Sequence, residues 1–153
     1  RRGRRRRARV RRAMIRPART ADLPHLRAIQ TASLAEPWDG LLEPAIDGPP
    51  VVFVVTDEAD QPRGYAVAIP QDTVAYLAEL AVAPGYRGDG RGSRLLASLC
   101  DRLAADGFEA LELTVRADDE RARDFYDTNG FVEQERLPDH YEDGDGLLLA
   151  RQF

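Results

Sequence analysis

The 153-residue chain contains no lysine at all, one cysteine, one methionine and one tryptophan. Each shortage closes off a class of protein. Without lysine there is no P-loop, whose lysine must reach the terminal phosphates of a nucleotide. A lone Cys100 excludes an internal disulfide and any cysteine-built zinc cluster. His25 and His140 are the only histidines and are far apart in sequence, which is no metal-ligand spacing, so no metal is expected. No apolar run approaches the ~18 residues needed to span a bilayer. The arginine-rich start is not followed by an apolar stretch and does not read as a secretory leader. A soluble cytoplasmic protein is expected, and at this length it has one domain with one core.

What is present is charge, unevenly placed. Residues 1–19 carry eleven arginines and no acid, whereas residues 20–153 set eleven arginines against all 26 acids, a balance of −15. An acidic, lysine-free body resembles proteins of salt-accumulating haloarchaea; a high-GC genome favouring arginine codons is the alternative. The stretch Arg1–Arg12 has the composition of a nucleic-acid-binding arm, but a body of −15 repels phosphate, so nucleic acid is not the expected partner. Met14-Ile15-Arg16-Pro17-Ala18 reads as a natural start, which makes residues 1–13 a disordered or artefactual extension and 14–153 the functional domain.

Hydrophobic periodicity gives the element order. Ile15–Pro17 suits a first strand, and Thr20 is positioned to cap a helix running to about Leu34. Prolines at 37, 44, 49 and 50 mark an irregular stretch with room for a short helix. Val51–Thr56 and Gly64–Ile69 form a hairpin. Val74–Val82 is apolar on both faces except at Glu79, as a strand covered on both sides must be. Gly92–Asp106 has the strongest amphipathic pattern, with Leu95, Leu96, Leu99, Cys100 and Leu103 on one side. Glu109–Val115 is a strand; Asp118 or Asp119 caps a helix through Phe125 and Tyr126 that ends at Asn129-Gly130. Phe131–Leu137 and Leu147–Phe153 close the fold as a hairpin across an acidic loop. The order β-α-(α)-β-β-β-α-β-α-β-β describes a mixed α/β sheet.

The segment Val82-Ala83-Pro84-Gly85-Tyr86-Arg87-Gly88-Asp89-Gly90-Arg91-Gly92 lies between a strand and a helix. Its glycines let several N–H groups point into one concavity, and the helix start that follows adds unpaired donors and partial positive charge, a combination that suits a pyrophosphate. A dinucleotide fold would need this turn after the first strand rather than the fourth. Arg-x-x-Gly-x-Gly preceded by Val-x-Pro-x-Tyr resembles the cofactor signature of the GNAT superfamily of N-acetyltransferases. Ile15-Arg16-Pro17-Ala18 with Ala21-Asp22-Leu23 resembles that family's first strand and helix. Arg121–Tyr126 with Asn129-Gly130-Phe131 resembles its later helix and strand start.

The resemblance implies a mostly antiparallel GNAT sheet with helices on both faces and splayed central strands. Acetyl-CoA is then the co-substrate, held by Leu80, Ala81, Val82, Arg87, Gly88, Asp89, Gly90, Arg91, Gly92, Ser93 and Asp119, with an N–H near Val82 aimed at the acetyl oxygen. Tyr126 matches the tyrosine that protonates the departing thiolate. Glu79, alone among apolar neighbours, is the candidate base through a water, with its pKa expected to rise on desolvation. Relatives that place a base one strand over have their counterpart here in Thr114, which cannot serve. Ser33-Leu34-Ala35-Glu36-Pro37-Trp38 and His140-Tyr141-Glu142-Asp143-Gly144 are similar to the groove-forming segments of ribosomal-protein alanine N-acetyltransferases, so Trp38 and Tyr141 are candidate substrate contacts. A peptide N-terminal α-amine is the favoured acceptor. A small amine (amino acid, polyamine or antibiotic) is the alternative, and a catalytically silent acyl-CoA sensor the further one.

Overall fold

The computed structural model describes residues 14–153. The arginine-rich stretch 1–13, expected to be a disordered or artefactual extension, lies outside the described residues. Seven strands and four α-helices alternate along the chain: β1 (Ile15–Pro17), α1 (Leu23–Ser33), α2 (Leu42–Asp47), β2 (Val51–Thr56), β3 (Pro62–Gln71), β4 (Val74–Val82), α3 (Arg91–Ala105), β5 (Ala110–Arg116), α4 (Glu120–Thr128), β6 (Val132–Tyr141) and β7 (Gly144–Gln152). The strands form one sheet in the order β1-β2-β3-β4-β5-β7-β6. Every neighbouring pair is antiparallel except β4 and β5, which run parallel.

Helices cover both faces, which explains why the β2 run Val51-Val52-Phe53-Val54-Val55 carries no alternating polar residues. Phe53 and Val55 pack with Leu95, Leu96, Leu99, Cys100 and Leu103 of α3. Val52 and Val54 point the other way, against Leu26 and Ile29 of α1 and Leu42 and Ala45 of α2. Cys100 is a core residue as expected, and burial pushes its thiol up to about 11, so it remains an inert thiol at neutral pH.

Two irregularities shape the centre. The β4–β5 ladder consists of Val74–Tyr76 with Ala110–Glu112 only, so the strands part beyond Tyr76 and leave a wedge between Leu77–Val82 and Leu113–Arg116. In the β3–β4 ladder Val67 pairs with Glu79 but Ala68 pairs with Leu77, leaving Ala78 as the extra residue of a bulge. A one-residue slip exchanges the faces of everything beyond it. Leu77 therefore joins the α3 core, while Glu79 turns toward α1.

Three expectations are corrected. Thr20 does not cap α1, because Thr20–Asp22 is a 3₁₀ turn and the α-helix begins at Leu23; Asp22 instead accepts the Arg19 N–H at 2.8 Å. The closing hairpin has no long acidic loop. Its strands continue to Tyr141 and from Gly144, because Asp145 in β7 accepts from the Arg136 guanidinium and the Asp139 N–H, each at 2.9 Å. His140 accordingly lies in β6, not in a loop.

Asp22 fastens the start of the fold. Arg16 grips its carboxylate with two hydrogen bonds of 2.7 and 3.0 Å. Burial by itself raises the pKa of this carboxyl, but the bonds from Arg16 and from the Arg19 N–H outweigh it and hold the carboxyl below its ordinary value. A depressed folded-state pKa gives stability that is present above the unfolded value of ~3.9 and lost as pH falls through the folded one. Asp22→Asn is expected to lower stability at pH 7 by about 3 kcal/mol, as removal of one partner from a buried pair does. The gap between variant and parent should begin to narrow below pH ~4 and close only once the pH has fallen through the folded-state value. Denaturant unfolding at pH 7 and pH 3 checks this; an equal gap at both would exclude the ion pair as its source.

Candidate functional site

The wedge between β4 and β5 opens into a cleft of about 600 Å³ floored by Leu80, Ala81 and Val82, walled by α4 and closed at one end by the glycine loop before α3. The strand edge in this cleft has unpaired backbone. Ala83 donates its N–H to Arg63 O on β3 at 2.7 Å, so by the alternation of a strand the N–H groups of Leu80 and Val82 face the opposite side, into the wedge. The Val82 carbonyl confirms the direction. It accepts from Arg87 Nε at 2.9 Å and from Ser33 Oγ at 3.4 Å, not from β3.

At the other end of the cleft Gly85, Gly88 and Gly90 have φ of 86°, 88° and 78°, a region that L side chains enter only with strain. Gly90 is the N-cap of α3 and, among the described residues, no side chain bonds to the first N–H groups of that helix. The helix start is therefore a set of donors with partial positive charge and no internal partner, the arrangement that receives a phosphate. Gly92 has a different reason for being glycine. A Cβ there would stand 3.3 Å from the Phe125 ring, so its absence lets α3 and α4 approach and gives the cleft its width.

The arginines divide their work. Arg91 donates to Tyr86 O at 2.9 Å and pairs with Asp89 at 3.0 Å, while Arg63 and Arg91 both lie over the Tyr86 ring, at 4.7 and 5.3 Å from its centre. Arg91 thus braces the loop from within. Its Nε is buried with no partner among the described residues. Arg87 stays at the exposed rim.

Tyr126 reaches the cleft from α4. Its ring stands edge-on between Phe125 and Phe131, at 5.0 and 5.4 Å between centres, which fixes its direction. Burial first, then the charges of Asp119 and Tyr76, push its phenol well above the ordinary value. It is a permanently protonated donor at neutral pH.

Of the residues expected at the cofactor, all but Asp89 line this cleft, and Asp119 does so while capping α4 through the Ala122 N–H at 3.1 Å. Glu79 does not. It lies beneath α1, 7% exposed, and its surroundings are polar where apolar ones were expected. Gln30 Nε2 donates to both oxygens at 2.9 and 3.2 Å, Tyr65 Oη to one at 2.8 Å, and the Trp38 N–H to the other at 2.8 Å. Trp38 and Tyr141 lie outside the cleft, in the segments 34–41 and 141–144. Arg116 links these two segments: it pairs with Glu36 at 3.4 Å, bonds Asp143, and covers the Tyr141 ring at 4.4 Å.

Sequence reasoning missed Ser33, Leu34, Tyr86, Arg121, Ala122 and Phe125 as cleft residues. Tyr86 and Arg121 stand inside the quoted motifs, and Ala122, Phe125 and Tyr126 follow the i, i+3, i+4 spacing of one helix face. Ser33 and Leu34 open the segment Ser33–Trp38, which the resemblance places at the acceptor groove, and the structure brings these two residues to this cleft as well.

Comparison with known proteins agrees with this geometry. The model of the acetyltransferase (GNAT) family matches residues 14–131. The chain belongs to that family. A putative ribosomal protein bS18-alanine N-acetyltransferase of Bacillus subtilis is 25% identical over 142 residues, covering 90% of this chain and 93% of the relative. The crystal structure of the Escherichia coli ribosomal-protein-S18-alanine N-acetyltransferase superposes with a TM-score of 0.80 at 29% identity, covering 91% and 92% of the two chains. N-alpha-acetyltransferase 40 of Saccharomyces cerevisiae is 40% identical over 86 residues, which is 52% of this chain but only 30% of that longer protein.

The unstrained alternative to Gly90 does not exist for a β-branched residue. Gly90→Val is expected to weaken acetyl-CoA binding at least about tenfold, since an L side chain there costs ~1–2 kcal/mol in backbone conformation and turns the loop donors away. No heavy atom lies within 4 Å of the Cβ position, so the domain should stay folded. Calorimetry finding unchanged affinity in a folded variant would remove the loop from the binding site.

Proposed function

We propose that this acetyltransferase moves the acetyl group of acetyl-CoA to the α-amine of a peptide N-terminus. The observation that carries the reading is the wedge itself: it joins a cleft walled by backbone donors to an acceptor side built from Trp38, Arg116 and Tyr141. The uncapped start of α3 and the loop glycines suit the pyrophosphate, and the free edge of Leu80–Val82 suits an extended amide-bearing arm. In this reading, the residues expected to hold the donor, Leu80 to Val82, Arg87 to Ser93 and Asp119, keep that role.

Each residue then has a defined task. The Val82 N–H, fixed on a strand and excluded from the ladder, polarises the carbonyl under attack and stabilises the negative charge that develops on it. The Tyr126 hydroxyl supplies a proton to the departing sulfur. Trp38 and Tyr141 flank the acceptor. An α-amine of reference pKa ~7.7–8.0 presents a useful neutral fraction at pH 7, whereas a lysine side chain at ~10.4 does not. The relatives covered along most of their length are ribosomal-protein alanine N-acetyltransferases, which supports the same acceptor class. The lysine-free body with its balance of −15 supports a cytoplasm rich in salt as the setting.

The acceptor is tested by mixing protein and acetyl-CoA with peptides bearing free or blocked N-termini and following thiol release. Release with free α-amines and none with blocked peptides that retain lysine is expected; release with polyamines or lysine side chains alone would overturn the assignment. Tyr126→Phe keeps the ring packing and should lower turnover by a factor on the order of 10²–10⁴ with acetyl-CoA affinity nearly intact. Raising the pH should not rescue the variant, because added base does nothing to protonate the departing sulfur. Recovery at alkaline pH would show that the missing group is a base, not an acid.

A further inference from the structure

Glu79 accepts four hydrogen bonds, one for each lone-pair site of a carboxylate, from three neutral groups, since Gln30 Nε2 bonds both oxygens. Those groups come from separate parts of the chain: Gln30 on α1, Tyr65 on β3 and the backbone of Trp38. Tyr65 is fully enclosed and Gln30 half-buried. Trp38 is 50% exposed, in a segment between α1 and α2 that is proline-bearing and largely unstructured. The same Gln30 that holds Glu79 also lies 3.5 Å from the Trp38 carbonyl. The buried acid therefore holds an exposed aromatic residue by its backbone N–H, while Gln30 stands near the carbonyl of the same residue.

The bulge at Ala78 makes this possible. In an unbroken ladder Glu79 would follow Ala75 and Leu77 into the α3 core, where a carboxylate would find no donors. The extra residue brings it round to α1 instead.

We propose that Glu79 is a positioning residue for the acceptor: by bonding the Trp38 N–H it fixes the segment 34–41 and sets the indole surface against which a peptide lies. The proposal rests on the acceptor site described above, and it assigns Glu79 no proton transfer. Tryptophan is suited to such a surface because it offers a large contact area with little side-chain entropy to lose.

Trp38 is the sole tryptophan, so its fluorescence reports the segment directly, without any turnover. In Glu79→Gln an amide N–H₂ replaces one acceptor oxygen, so a donor faces either the Trp38 N–H or another of the donors. The expected results are a shifted Trp38 emission with lower anisotropy, unchanged acetyl-CoA affinity, and an acceptor-peptide KM raised about tenfold with kcat within about threefold of the parent. The acid limb of the pH–rate profile should stay where it is. Gln30→Leu, which leaves the carboxylate intact, should move KM and emission in the same direction by a smaller amount. A kcat loss of about a hundredfold in Glu79→Gln, with KM and emission unmoved, would overturn the proposal and make Glu79 the base. Unaltered Trp38 emission in both variants would also overturn it. Should the parent protein acetylate no peptide, the proposed acceptor fails, and the fluorescence arm still decides the role of Glu79.

Discussion

Only three residue pairs join β4 to β5, and the rest of the molecule is arranged around that brevity. A parallel pair of strands normally continues until one of them ends, because each unpaired buried N–H or carbonyl is costly. Here the ladder stops at Tyr76 and Glu112, and the groups it abandons lie along a cleft. The strands can afford to part because each has a full antiparallel partner on its other edge, β3 for β4 and β7 for β5. The N–H and carbonyl groups of Leu80 and Val82 are thereby left outside the β3 ladder, and the Val82 carbonyl accepts from Arg87 and Ser33.

The wedge persists because both of its banks are held from behind. On one side α3 presses five apolar side chains into the sheet, and Gly92 brings α3 close enough to α4 for Phe125 to fill the gap. Asn129 ties the same two helices through Ser93 Oγ at 3.2 Å. On the other side α1 and α2 cover β2 and β3. A ligand entering the wedge meets a prebuilt surface, so little of its binding energy is consumed in ordering the protein.

Much of this was legible in the sequence where the pattern reports burial. The run Val51–Val55, the two-faced strand Val74–Val82 and the leucine stripe of α3 each carry their own periodicity, and the glycine loop carries its conformation in its composition. What escaped was set by which side chains meet, which composition and periodicity do not report. Thr20 looks like a cap, but the pair of Arg16 with Asp22 claims the start of α1. The β6–β7 hairpin looked interrupted by acids because Asp145 satisfies donors from the opposite strand, a pairing that an acidic composition does not reveal. Glu79 was visible as an acid among apolar residues; its donors lie 14 to 49 positions away, and the bulge that turns it toward them leaves no mark in an alternating pattern.

The two sides of the wedge are built from different materials. The donor side consists largely of backbone: N–H groups of a strand, a glycine loop and a helix start, which depend on glycine at Gly90 and Gly92 more than on any particular side chain. The proposed acceptor side consists of side chains, Trp38 on a loop and Arg116 and Tyr141 at the ends of β5 and β6, joined by ion pairs that are mostly exposed and so individually weak. Tyr76 stands between the two sides, the last β4 residue paired with β5 before the strands part. A family built on this plan keeps one cofactor and varies its acceptors because the geometry separates the two requirements. In this chain Glu79 supplies what loops otherwise lack, a buried anchor that gives an exposed aromatic residue a defined place.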